Sequence, residues 1–276
     1  KVTDRRAGRI PTEKNMELCA KLQEAITEID EVKITIRNGK EHRFVVILEG
    51  DGLDDSVTET DPQKEGLAPR PAEAMKPDAQ KSADILNKFT AKVNEALKGE
   101  EKANTLLLRG IAKCPHIPTM QEAFKLTPAA IANYPMYKGL AKLVGMDVLE
   151  TGDTIADEFK TLAEKYDSYD FFYLHVKKTD SYGEDGSFDS KVHIIEEVEK
   201  EIKGLAKLKF DVIAFTGDHC TPAVMKGHSW HPNPFVLISE TCFTDNFDSF
   251  HEKNCQLGGL GQFQSTDIMA LLLANA

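Results

Sequence analysis

The 276-residue sequence has no long hydrophobic run, and it is poor in cysteine and in positive charge. Its longest apolar runs, such as residues 170–176, are the length of a strand. A membrane helix needs about 18 or more apolar residues in succession. No secretory signal is visible. The sequence therefore does not predict a membrane span.

Positive charges are outnumbered, with 34 Lys and Arg against 45 Asp and Glu, which gives a net charge of −11. A surface of that sign repels the phosphates of nucleic acid and anionic lipid headgroups. We therefore expect neither a nucleic-acid partner nor a membrane partner. A local group of arginines can still bind a small anionic substrate.

The five cysteines are odd in number and show no CxxC spacing, which argues against a disulfide framework and against a cysteine-rich zinc site. They are typical of reduced thiols, so we expect a cytoplasmic protein. The remaining composition, 41% hydrophobic and 29% charged, is that of a folded globular chain. A chain of this length is sufficient for two domains.

Two prolines within Cys114–Pro118 disfavour a regular element and predict a domain boundary. We assign residues 1–113 to a smaller α+β domain and residues 114–276 to a second domain. In the first domain, Asn38-Gly39 predicts a hairpin between two strands. Residues 105–109 predict a short buried strand.

Strands and helices alternate in the second domain. Strands are predicted at residues 171–176, 211–216 and 234–238, and helices at residues 127–144, 154–165, 188–208 and 265–274. Apolar strands separated by helices indicate an α/β fold with a buried central sheet.

Clusters of polar residues follow two of these strands. Asp180 and Glu184 come after the first strand, and Asp218, His219 and His228 come after the second. Because ligands bind beyond the carboxyl ends of strands in open α/β sheets, we expect these side chains to share a site. Carboxylates with imidazoles suit Zn, Mn or Fe-type ions better than Ca. The alternative interpretation is that the two acidic residues cap a helix and the histidines are ordinary loop residues.

Several motifs resemble those of a known family in type and in order. Gly217–Pro222 followed by His228-Ser229 resembles the DHSTP…HS signature of archaeal-type 2,3-bisphosphoglycerate-independent phosphoglycerate mutases, which belong to the alkaline phosphatase superfamily. Further similar segments are Asp4–Arg9, Asp61-Pro62, Asn104–Gly110, Tyr137–Ala141, His175–Asp180 and Gly258–Gly261. The resemblance implies an alkaline-phosphatase-like α/β core within residues 114–276. It also implies that residues 1–113 form an inserted domain that closes over the substrate.

The same resemblance implies metal-dependent interconversion of 2-phosphoglycerate and 3-phosphoglycerate through a phosphoserine, without 2,3-bisphosphoglycerate. It implies two divalent ions (Mn, Mg or Zn), one bound by Asp218 and His219 and the other by Asp180, Glu184 and His228. Many family members have His where this chain has Glu184. The harder carboxylate oxygen would favour Mn or Mg over Zn, unless Glu184 does not bind metal at all.

The resemblance also suggests which residues bind the substrate anion. The candidates are Arg5, Arg6, Arg9, Arg109 and Lys138. Arginine offers forked donors to carboxylate and phosphate. The alternative interpretation is that these are ordinary solvated surface residues, which is weaker for Arg109 because it ends an apolar run and precedes Gly110. His175 lies within an apolar strand, so we interpret it as a core residue or as a support for a metal ligand.

Family members carry a bridging Asp and a nucleophilic Ser ahead of the segment that matches Asp4–Arg9. We therefore expect these 276 residues to be part of a protein of roughly 400 residues, with that serine upstream. Two other hypotheses stay open. One is a metal-dependent phosphatase or phosphotransferase of the same superfamily, and the other is a non-catalytic anion-binding fragment.

Overall fold

A computed structural model describes residues 1–276, which divide into two compact units, Lys1–His116 and Ile117–Ala276. The division lies three residues beyond the boundary expected between residues 113 and 114. That the first unit closes over a substrate stays a prediction.

The first unit has an α+β organisation. Its elements are α1 (Thr12–Ala25), β1 (Glu28–Ile29), β2 (Val32–Asn38), β3 (Phe44–Glu49) and α2 (Gln80–Ala96), with short 3-10 turns at Ala7–Arg9 and Pro77–Ala79. The three strands form an antiparallel sheet in the order β1-β2-β3. The side chains of β2 alternate between buried and exposed, because successive residues of a strand face opposite sides. Ile34 of β2 and Phe89 of α2 belong to the resulting core.

The strand expected at residues 105–109 is not formed. This segment has no regular secondary structure, and Leu108 hydrogen-bonds to Thr60 instead of to a neighbouring strand. Leu108 N donates to Thr60 Oγ1 at 2.7 Å, and Thr60 N donates to the Leu108 carbonyl at 3.0 Å. Leu106 is buried in the core of the unit. The apolar run therefore reflects burial of a loop segment, which the sequence pattern does not distinguish from a strand.

The second unit alternates strands and helices. Its elements are α3 (Met120–Phe124), β4 (Pro128–Ala132), α4 (Pro135–Leu143), β5 (Asp147–Val148), α5 (Ile155–Lys165), β6 (Phe171–His175), α6 (Lys178–Asp185), α7 (Phe188–Leu205), β7 (Val212–Phe215), β8 (Val236–Ser239), α8 (Glu252–Leu257) and α9 (Ile268–Asn275). Short 3-10 turns lie at Tyr166–Ser168 and Ser265–Asp267. Strands β5-β4-β6 form a parallel sheet, whereas β7 and β8 form an antiparallel pair.

The helix expected over residues 127–144 was wrong in its first part. Residues 128–132 form the central strand β4, and the helix α4 begins only at Pro135. Proline is well tolerated in the first turn of a helix but not in its interior, which explains the break. The alanines of β4 favour a helix by propensity, but their small side chains fit a strand that is buried along its whole length.

The α/β class expected from the sequence is correct, although the sheet is divided into two parts. Only β4 is fully buried; β6 and β7 are half-buried, and each is hydrogen-bonded to one neighbouring strand. Phe159 of α5 and Ile194 of α7 pack with Ile131 of β4 in the core. No helix along the described chain combines the length and the hydropathy that a membrane span requires.

Candidate metal centre

The predicted ligands follow the carboxyl ends of β6 and β7. Asp180 lies in the first turn of α6, which begins three residues after β6 ends. Asp218 and His219 follow β7 closely, and His228 lies in the loop between β7 and β8. A loop position allows neighbouring side chains to point the same way, which a regular strand does not.

Asp180, His219 and His228 offer ligand atoms that all lie within 4.8 Å of one another. Asp180 Oδ1 lies 3.5 Å from His228 Nε2 and 3.7 Å from His219 Nδ1. The two imidazole rings lie 3.9 Å apart between centroids. The Asp180 side chain is 12% exposed and that of His228 is 55% exposed, so the group opens to solvent on the histidine side.

Asp180 is held in place by its neighbours. Thr221 Oγ1 donates to Asp180 Oδ1 at 2.6 Å, and Lys177 Nζ donates to Oδ2 of the same carboxylate. Burial would raise the pKa of Asp180, but these two hydrogen bonds outweigh it and keep the pKa below its usual value. The carboxylate is therefore ionised at neutral pH, as a cation ligand must be.

Asp218 adjoins this group through His219. Its Oδ2 lies 3.5 Å from His219 Nε2, and its Oδ1 accepts a hydrogen bond from His219 N at 3.0 Å. The Tyr137 hydroxyl donates to Asp218 Oδ2. Partial burial would raise the pKa of Asp218, but the hydrogen bond from Tyr137 and the neighbouring His219 lower it overall.

Glu184 lies at the edge of the group. Position 184 is four residues after Asp180 on α6, so the two carboxylates share a helix face. Glu184 Oε1 lies 3.8 Å from His228 Nε2, and its side chain is 56% exposed. Its role as a metal ligand stays a prediction.

His175, the last residue of β6, is not among the clustered ligands. Its ring stacks on Tyr137 at 3.4 Å between centroids. Burial lowers the pKa of His175 to about 4, so the ring is neutral at pH 7. Its Nδ1 atom is buried without a hydrogen-bond partner.

The predicted substrate arginines lie in the first unit. Arg5 donates to Asp61 through Nε at 3.0 Å and through a terminal nitrogen at 2.5 Å. Arg109 Nε lies 3.5 Å from the same carboxylate, which is almost fully buried. The hydrogen bond from Arg5 lowers the pKa of Asp61. Arg6 and Arg9 are exposed, and in the second unit Lys138 is half-buried on α4 beside Tyr137.

The sequence patterns indicated no role for Tyr137, Thr221 or Lys177, although all three hydrogen-bond to predicted ligands. Tyr137 follows the carboxyl end of β4, at the same sheet edge as the end of β6. Recognition of β4 would have placed Tyr137 at the ligand-binding edge of the sheet. The helix expected at residues 127–144 concealed that strand end.

The donor set fits a divalent metal ion. It combines an ionised carboxylate with two imidazoles, and a second carboxylate lies beside one of those imidazoles. Such mixed oxygen and nitrogen donors are typical of sites for Zn and Mn-type ions.

The match to a family model defines the class of protein. The chain matches the Metalloenzyme superfamily over residues 15–275, so it is an α/β metalloenzyme. Use of divalent metal follows from that membership.

Similar proteins define the family more closely. A Thermotoga maritima protein named "Probable 2,3-bisphosphoglycerate-independent phosphoglycerate mutase" is 50% identical over 275 residues, which are 100% of this chain and 69% of that protein. A Thermus thermophilus protein of the same name is 49% identical over 279 residues, again 69% of its length. The chain belongs to the 2,3-bisphosphoglycerate-independent phosphoglycerate mutases.

Solved structures agree with this assignment. The cofactor-independent phosphoglycerate mutase of Thermoplasma acidophilum matches with a TM-score of 0.71 and 25% identity, covering 99% of this chain and 72% of that one. A Pyrococcus horikoshii protein matches with a TM-score of 0.81 and 25% identity, covering 99% and 71%. The alkaline-phosphatase-like α/β fold expected from the sequence is thereby confirmed.

Proposed function

We propose that this protein interconverts 2-phosphoglycerate and 3-phosphoglycerate with divalent metal ions and without 2,3-bisphosphoglycerate. The names of its relatives support the reaction. The observation that carries the proposal to particular residues is the convergence of Asp180, His219 and His228, with Asp218 beside them. A phosphoserine intermediate is part of the proposal and rests on the resemblance alone.

We further propose that the protein binds two divalent ions, each Mn, Mg or Zn. When bound, they lower the pKa of an attacking hydroxyl and neutralise phosphate oxygens. Asp218 and His219 would hold one ion, and Asp180, Glu184 and His228 the other. The hard oxygen that Glu184 adds is the reason to favour Mn or Mg over Zn. The ionised state of Asp180 supports its role.

The negative charges of the substrate require positively charged partners. Its phosphate and carboxylate would be bound by Arg5, Arg6, Arg9, Arg109 and Lys138. Asp61 supports this role for two of them, because it fixes the guanidinium of Arg5 and lies 3.5 Å from Nε of Arg109, whose side chain is 58% exposed. An exposed guanidinium has several N–H donors that can bind an anion.

A cytoplasmic location and the absence of nucleic-acid and membrane partners belong to the same proposal. They are supported by the five free cysteines and by the net charge of −11.

A coupled assay tests the reaction on the protein with all residues that its gene encodes. Enolase converts the 2-phosphoglycerate formed from 3-phosphoglycerate to phosphoenolpyruvate, whose ultraviolet absorbance is followed. Excess EDTA should abolish turnover, Mn²⁺ should restore it, and added 2,3-bisphosphoglycerate should not change it. Release of inorganic phosphate in place of 2-phosphoglycerate would indicate a phosphatase. Full activity in EDTA would refute the metal assignment.

A further inference from the structure

Tyr137 is the one residue of α4 that hydrogen-bonds to a predicted metal ligand. It lies in the first turn of the helix, is 5% exposed, and donates its hydroxyl proton to Asp218 Oδ2. The two residues are 81 positions apart in the chain. This hydrogen bond therefore joins the end of β4 to the loop after β7.

Apart from the hydrogen bond from Tyr137, the Asp218 carboxylate accepts one hydrogen bond, from the backbone N–H of His219. Asp218 lies in a loop, and its side chain is 46% exposed. The backbone N–H of His219 donates to Oδ1 at 3.0 Å, and a single hydrogen bond to one oxygen does not by itself define the plane of the carboxylate. The hydrogen bond from Tyr137 to Oδ2 fixes the second oxygen and hence the plane of the carboxylate. Oδ2 is also the oxygen that lies 3.5 Å from His219 Nε2.

The tyrosine itself is held rigidly. Its ring stacks on His175 with 3.4 Å between centroids and 23° between planes. His175 pairs with Ala132 in the parallel register of β6 and β4. The position of the hydroxyl is thus set by the sheet, and a donor that is already fixed loses little conformational entropy when it binds its acceptor.

We infer that Tyr137 is a positioning residue that orients the Asp218 carboxylate for the metal ion held with His219. This inference rests on the proposed metal-dependent function. Ligating carboxylates are themselves hydrogen-bonded in metal sites, and loss of such a partner typically lowers metal affinity 10–100-fold. The competing interpretation is that Tyr137 only fills the core beside His175, a role that a phenylalanine ring would fill equally well.

The variant Tyr137→Phe separates the two interpretations, because it keeps the stacked ring and removes only the hydroxyl. Metal-free protein, with all residues that the gene encodes, is titrated with Mn²⁺, and free Mn²⁺ is followed by electron paramagnetic resonance. We expect the Kd for one Mn²⁺ to rise about 10–100-fold while the near-ultraviolet circular dichroism is unchanged. The visible spectrum of the Co²⁺-loaded variant should also differ from that of the wild type.

Tyr169→Phe is the matched control. Tyr169 lies in the same unit and donates its hydroxyl to Asp147 Oδ2 at 3.2 Å. Neither Tyr169 nor Asp147 is hydrogen-bonded to a predicted metal ligand. The Kd of Tyr169→Phe for Mn²⁺ should equal that of the wild type. An unchanged Kd in Tyr137→Phe would overturn the inference and leave the proposed function standing. No Mn²⁺ binding by the wild type would overturn the metal proposal and the inference with it.

A double variant tests whether the tyrosine acts through Asp218. Asp218→Asn keeps Tyr137 and its packing and should itself weaken Mn²⁺ binding. Adding Tyr137→Phe to Asp218→Asn should weaken binding no further, because the two residues form one unit. A further loss in the double variant would contradict the inference. Near-ultraviolet circular dichroism of the single and double variants distinguishes a loss of folding caused by Tyr137→Phe from a loss of metal affinity in a folded protein.

Discussion

Gly183 of α6 packs against the backbone carbonyl of Thr221, so closely that a Cβ atom at position 183 would overlap that oxygen. The contact seats α6 on the loop that carries His219. Thr221 in turn donates to Asp180 at 2.6 Å and lies 3.1 Å from His219 Nδ1. The absence of a side chain at position 183 is therefore what allows Asp180 and His219 to approach each other.

Gly183→Ala should accordingly weaken both the fold and the metal site. Overpacking of a close contact costs about 1–3 kcal/mol of unfolding free energy, and a shift of α6 would separate Asp180 from His219. Urea unfolding and Mn²⁺ titration measure the two effects. The control is Gly204→Ala on α7, where an added Cβ meets nothing within 4 Å. That variant should be as stable as the wild type or more stable. Equal stability and affinity in Gly183→Ala would contradict this account.

Short sequence patterns predicted those helices, strands and turns that depend mainly on neighbouring residues. The Asn38-Gly39 turn gave the β2–β3 hairpin, in which Asn38 pairs with Phe44. The α/β class followed in the same way from the alternation of apolar strands and helices. The β4 strand was missed because four of its five residues are alanine or proline, and their intrinsic preferences do not reveal a buried central strand.

The sequence pattern did not predict the hydrogen bonds that join distant residues at the site. Polar residues at two strand ends predicted that Asp180, His219 and His228 would meet, since the carboxyl ends of strands carry ligand sites. The hydrogen bonds from Tyr137 to Asp218 and from Thr221 to Asp180 span 81 and 41 residues. No periodicity encodes such pairs, which depend on how α4 and α6 pack against the strand ends.

Glu184→His tests the predicted ligand at the edge of the group. If Glu184 binds metal, replacing its hard oxygen with an imidazole should raise the affinity for Zn²⁺ relative to Mn²⁺. Competitive titration of the metal-free protein with the two ions measures the ratio. Asp185→His, one position along α6, places the same imidazole on another part of the helix and should leave the ratio unchanged. The same Zn²⁺ to Mn²⁺ ratio in Glu184→His and wild type would exclude Glu184 from the coordination shell.

Arg109→Lys tests the predicted anion donor. Lysine keeps the charge but replaces the planar fork with a point donor. Loss of one hydrogen bond to a charged group is worth about 1.5–3 kcal/mol, so the KM for 3-phosphoglycerate should rise about 10-fold or more. The Arg109 side chain is 58% exposed, so stability should change little. Steady-state kinetics measure the effect, with the exposed Arg37→Lys on β2 as the control. An unchanged KM would remove Arg109 from the substrate site.

Glu158 should make stability depend on pH. Its side chain is buried, and it accepts a hydrogen bond from Asn133 Nδ2 at 2.8 Å. Burial raises the pKa of Glu158 from 4.5 to about 7. A carboxyl group with a raised pKa in the folded state contributes stability that is fully present below the unfolded pKa. That contribution is lost as the pH rises through the folded pKa.

The unfolding free energy of the wild type should therefore fall by about 1–3 kcal/mol relative to Glu158→Gln between pH 4.5 and pH 7 or above. Glutamine keeps the acceptor for Asn133 but does not titrate. Urea unfolding of both proteins across this window measures the difference. Glu164→Gln, an exposed position on the same helix, should follow the wild type. Parallel pH profiles for wild type and Glu158→Gln would show that folding does not raise the pKa of Glu158, because its burial is offset by charges such as those of Lys178 and Lys138.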